Sequence, residues 1–103
     1  MATTSRVETR IDLWLQAIVA EVAGLSEVVA TWAEESEDNQ LNYALEWDEL
    51  MDRYAVIAGM NSNNRLTPQQ QERFRALRND LKRALPLVKQ LGLSLPPESL
   101  ETP

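Results

Sequence analysis

Neither cysteine nor histidine occurs in this chain of 103 residues. Without cysteine there is no disulfide, no thiolate metal site and no thiol nucleophile. Without histidine the commonest zinc ligand and the commonest general base are missing, and a histidine-based hydrolytic triad is excluded. Glycine is scarce, with three residues, and the five prolines and three glycines fall mostly where helices should start or stop. Long apolar runs are lacking too. The most apolar stretch, Trp14 to Val29, is interrupted by Gln16, Glu21 and Glu27, and the N-terminal ATTSRVETR has no signal-like apolar core. The expected setting is therefore cytoplasmic, with no membrane partner. Bases are few in the first half: residues 1–60 hold 12 acids against 3 bases, whereas residues 61–95 hold 2 acids against 7 bases. The net charge of −6 disfavours non-specific binding to nucleic acid.

What is present is helical periodicity. Ser5-Arg-Val-Glu8 has the capping-box spacing, in which serine and glutamate satisfy free backbone N–H groups. Ile11, Leu15, Ile18, Val22, Leu25, Val29 and Trp32 then recur at alternating steps of four and three, a heptad seam. Val7, Trp14, Val19 and Val28 widen it enough to touch two neighbours. Gly24 within the seam predicts a close helix crossing. The acids Glu34, Glu35, Glu37 and Asp38 suit a helix N-terminus better than a C-terminus. The first helix should thus end near 34–36, with Ser36 or Asp38 capping the next, the alternative being one bent continuous helix. The second helix should reach about Ala58, with Gly59 as its cap. Asn61 to Asn64 reads as a loop. Thr67-Pro-Gln-Gln70 begins a third helix with a threonine cap and proline at its first position. Its apolar face is Phe74, Leu77, Leu81, Ala84, Leu85, Val88 and Leu91. Pro86 should kink or interrupt it, Gly92 should stop it, and Leu93 and Leu95 can fold back onto the bundle.

The expected architecture is all-α: an up-down-up bundle of three helices over residues 1–95, the third kinked at proline, completed by dimerisation. Residues 96–103 read as a flexible tail.

Two acidic pairs, Glu34-x-x-Glu37 and Glu49-x-x-Asp52, have the i, i+3 spacing that lets carboxylates share a Mg²⁺. The ExxE and ExxD arrangement resembles that of all-α nucleoside triphosphate pyrophosphatases, which would imply Mg²⁺-dependent nucleotide hydrolysis. The likeness covers four positions within nineteen residues, and Glu34 points about 150° from the heptad seam on a helical wheel. Glu21 and Asp48 each interrupt an apolar face, and a buried carboxylate needs a partner. Arg73 and Arg78, at the edges of the third helix's apolar face, are the expected ones. The basic stripe Arg75, Arg78, Lys82 and Lys89 lacks the interleaved exposed aromatics of a nucleic-acid site.

The second helix carries more apolar surface than three helices can bury. One stripe holds Leu41, Leu45, Met51, Ala55 and Ala58, the other Tyr43, Trp47, Leu50, Tyr54 and Ile57. Aromatic side chains are enriched at interface hot spots, so the second stripe is the expected contact surface. The function expected from the sequence is a non-enzymatic interaction module, adaptor or subunit, binding itself as a homodimer or another helical protein, with no cofactor implied.

Overall fold

The computed structural model describes residues 6–97. Four α-helices succeed one another: α1 (Arg6–Ala23), α2 (Leu25–Thr31), α3 (Glu37–Ser62) and α4 (Pro68–Gln90). A 3-10 turn, Trp32–Glu34, lies between α2 and α3, and there is no strand among the described residues. The Ser5 cap and residues 98–103 of the expected tail lie outside the described residues.

The expected long first helix is broken. Gly24 sits at φ −88°, ψ −3°, and the axis bends by 43° between Arg6–Ala23 and Leu25–Glu34. A Cβ there would meet only the Ala20 and Glu21 carbonyls, at 3.7 Å. Gly24 therefore marks a bend and not a helix crossing. The bend keeps the seam on the core: Ile11, Leu15, Ile18, Val22 and Leu25 are buried, and Val29 and Trp32 pack against them. No single helix among the described residues is long and apolar enough to cross a membrane; Arg6–Ala23 and Leu25–Glu34 meet that length and composition only together, across the bend.

Ser36 caps α3 as expected, its Oγ accepting from Asn39 N at 3.1 Å. The far end of α3 differs from the expectation. The helix runs through Gly59 to Ser62, because its stop is Asn64, which takes the left-handed conformation at φ +57°. Asn64 N–H donates to Asn61 O and Arg65 N–H to Met60 O, closing the last turn. Asparagine tolerates this conformation better than most side chains. In α4, Thr67 and Gln70 form the reciprocal capping box behind Pro68. The helix then continues through Pro86 without the interruption that was one of the two expected outcomes. Proline removes one N–H, that facing the Lys82 carbonyl, but both residues are on the exposed face, where water can serve that carbonyl. Gly92, at φ +70°, ends α4 by the same device as Asn64, with Leu93 N–H donating to Val88 O.

The core lies where α1 packs against both α3 and α4, with α2 resting on α4. Its largest members are Trp47 and Tyr54, with Leu15, Ile18, Ile57, Leu77 and Leu81 around them. Past α4 the chain folds back as expected: Leu91 and Leu93 are buried, whereas Leu95 remains 52% exposed. Ser94 holds this return, its carbonyl accepting from Trp47 Nε1 at 2.8 Å and its Oγ donating to Asp48 Oδ1 at 2.7 Å.

Candidate interaction surface

Which stripe of α3 faces inward decides what the surface can do. The structure buries Trp47, Tyr54 and Ile57 completely and leaves Leu50 and Tyr43 half-buried. Tyr54 lies on Phe74 of α4 with ring centroids 5.4 Å apart, and Tyr43 meets the edge of Trp32 at 5.8 Å. The aromatic stripe is thus the chain's own core, and its assignment as the contact surface is corrected. Aromatic rings bury the most area per residue, so they go where two helices converge. The other stripe divides. Met51 and Ala58 turn to the core, while Leu41 and Leu45 stand 58% and 57% exposed, with Val56 at 50% farther along.

Beside Val56 is a groove of about 330 Å³ between the first half of α1 and the last half of α3. Val7, Trp14, Val56 and Met60 make it apolar, and Arg6 and Arg10 form its rim. Arg53 completes that rim, its guanidinium 5.7 Å from the Trp14 ring centroid in a cation–π contact. Arg6, Arg10 and Arg53 are all the bases that residues 1–60 contain. The acidic half of the chain has gathered its positive charge around one apolar trough. A second apolar groove, between α1 and α4, is edged by both Arg73 and Asp80 and so has no single sign.

The residues expected to carry buried charge go elsewhere. Asp48 is exposed and bonded to Ser94, not to an arginine of α4. Arg73 reaches Asp12 at 3.5 Å, with both side chains nearly half exposed, a pair worth little on its own. Arg78 lines the groove between α3 and α4 with Arg75. Glu21 stands half-buried beside Tyr43, close enough to act on its hydroxyl without closing a well-formed hydrogen bond. Burial, then the Glu21 carboxylate, then Glu46 raise the Tyr43 phenol well above its ordinary value of 10. A phenol held neutral when folded favours the native state fully below about pH 10, where the unfolded chain's phenol begins to ionise, and progressively less above it. Tyr43→Phe is therefore expected to lose less stability than wild type between about pH 9 and 11.5. Equal losses in parallel urea titrations would remove Tyr43 from this account.

The interhelix polar node is one that sequence reasoning did not assign. Gln70 is 3% exposed, accepts from Thr67 N–H through Oε1, and donates from Nε2 to Glu8 O and Asp12 Oδ1 of α1. Its local signal, the third residue of a capping box, was visible; its reach to α1 was not.

The acidic pairs are not assembled. Glu37 and Glu49 lie twelve residues apart on the same helix, about 18 Å along its axis, and not on facing helices. Among the described residues no group of three or more carboxylates is placed to hold a metal ion. The facing-helix arrangement is not formed, because α3 begins at Glu37 and continues past Asp52 without a turn. Compared with known protein families, with curated proteins and with solved structures, the chain matches none.

Proposed function

We propose that the chain is a small, non-enzymatic protein-interaction module that binds a second copy of itself. The observation that carries this reading is the set of exposed apolar side chains on α3, Leu41, Leu45 and Val56, the last of which lines an arginine-rimmed apolar groove. Scattered exposed leucines need no explanation, but apolar side chains at i and i+4 on one helix face, beside a trough, have the form of a contact surface. In this reading α1, α3 and α4 form an up-down-up bundle, and a second copy covers the face of α3 that three helices leave open. The interface lies on the leucine stripe of α3, opposite the aromatic one.

Light scattering across a dilution series tests the reading. The expected native mass is twice 11.7 kDa at high concentration. Leu45→Glu sets a charge at the centre of the face, so the dimer should dissociate at least about tenfold more readily with the melting temperature of the monomer unchanged. A wild-type chain that keeps the 11.7 kDa mass of one copy at every concentration refutes self-association.

A further inference from the structure

We infer that residues 98–103 of this same chain dock in the groove between α3 and α4, where Arg75 and Arg78 receive the carboxylates of Glu98 and Glu101. The direction in which the chain leaves α4 points there. Helices α3 and α4 run antiparallel, joined across five residues, with Tyr54 lying on Phe74. Equal rise along both helices puts Gln90, the last residue of α4, level with about position 40 of α3. Ser94, however, is bonded to Trp47 and Asp48. The chain has therefore reversed at Gly92 and runs down α3 toward Ser62. Asp48 and Ser62 lie within about 40° of each other on a helical wheel, so this path stays on one flank of α3.

The reach of the chain fits the groove. Leu95 and Pro96 each precede a proline, which confines both to extended backbone. An extended chain advances about 3.3 Å per residue against about 1.5 Å in a helix, so residues 98–101 come level with about positions 56–63 of α3. At that level the helices leave a polar pocket of about 280 Å³. Ala58 and Phe74 line it, with Ser62 on the α3 side and Arg75 and Arg78 on the α4 side.

Charge follows the same register. The segment that passes Asp48 and Asp52 is Leu95-Pro96-Pro97, which carries none. Its acids arrive only where α3 has none, because residues 53–62 contain neither Asp nor Glu. Residues 98–103 hold two acids and no base. Arg75 holds Glu72 at 3.1 Å, but with side chains 69% and 73% exposed that pair contributes little and can give way. Leu100, between the two acids, then covers Ala58 and Phe74. The other arginine cluster, Arg6, Arg10 and Arg53, stands on the flank of α3 turned toward α1, away from this path.

Because the chain has no cysteine, cross-linking reads the path directly. Ser99→Cys is combined with Ser62→Cys in one variant and with Glu37→Cys in another, both positions on α3 being exposed. Glu37 lies on the same flank, eleven positions before Asp48, whereas Ser62 lies fourteen after it. An undocked segment would thus reach position 37 at least as readily as position 62. In dilute solution under oxidation, the 62–99 disulfide should close within one chain at least about tenfold faster than the 37–99 disulfide, since docking raises the effective concentration. Adding Glu98→Arg and Glu101→Arg should bring the 62–99 rate down to the 37–99 rate, with the helical circular dichroism unchanged. Equal rates in the two parent variants overturn the docking. A fast 62–99 rate that survives the charge reversal overturns the part given to Arg75 and Arg78. A disulfide formed between two chains, and not within one, hands the groove to the segment of a second copy and overturns docking within the chain.

Discussion

Trp47→Ala is expected to remove about 3–5 kcal/mol of folding stability, the range for deleting a large aromatic from a close-packed core. The side chain is 1% exposed and lies among the largest residues of the interior. Two losses combine. The indole leaves a void that helices α1 and α4 cannot fill without moving, and Ser94 loses the donor that ties residues 91–94 to α3. Because a domain of this size is stable by only about 5–15 kcal/mol, the variant should be partly unfolded at 37 °C. Trp47→Phe separates the two contributions. It keeps an aromatic body and gives up the N–H bond, so it should cost about 1 kcal/mol more than the lost volume alone requires. Urea unfolding followed by circular dichroism measures both. A loss under about 1 kcal/mol for Trp47→Ala would mean that the described core is not the one the chain uses.

The second large effect concerns Gln70, where two carbon-bound groups of opposite hydrogen-bonding sense do different work. Oε1 closes the capping box on Thr67, and Nε2 donates into α1. Gln70→Ala should cost about 2–3 kcal/mol, combining a lost cap with a lost buried donor. Gln70→Glu is the more revealing change. Glutamate is a normal capping-box residue, so local helix propensity is retained. It replaces the donor with an acceptor facing the Glu8 carbonyl and the Asp12 carboxylate, and two carboxylates in contact disfavour the charged form. The new carboxyl should titrate above its ordinary value near 4.3 when folded. A group raised in this way adds stability when protonated, at low pH, and that stability is lost as pH rises through the folded value. Gln70→Glu should therefore be destabilised at pH 7 and recover relative to wild type as pH falls toward about 4. A deficit independent of pH would show that the amide of Gln70 does not face those two oxygens.

These cases mark what a one-dimensional reading could reach. The heptad seam located every buried position of α1, but the wider strip drawn from the same wheel also took in Val7 and Val19, which are exposed. Caps at Ser36 and Thr67 were equally legible, since capping is settled within four residues. The end of α3 was not: Gly59 and Asn64 can both stop a helix, and no local pattern says that Asn64 is the one that takes the left-handed conformation. The two stripes of α3 posed a harder problem. A helical wheel reports that faces exist, and only the positions of α1 and α4 decide which face is inside. Aromatic residues look the same on a wheel whether they anchor a partner or fill an interior. For Asp48 the missing fact was a return of the chain 46 residues later, which no local pattern announces. The arginine rim shows the opposite situation. Its three members are plain in the composition, but α1 and α3 must be laid side by side before they become one feature.

The docking of residues 91–94 on Trp47 has a consequence for the birth of the molecule. A polypeptide leaves the ribosome N-terminus first at roughly 5–20 residues per second. The apolar seam of α1, whose main partner is α4, emerges some 67 residues before that partner is complete. For about 3–13 s of synthesis the nascent chain therefore displays Ile11, Leu15 and Ile18 with little to cover them. Only when Leu93 and Ser94 clear the exit can Trp47 find its acceptor and the interior close. Residues 93–94 are the latch, so a nascent copy stalled before them would present to chaperones and proteases the same sticky seam that the folded bundle hides.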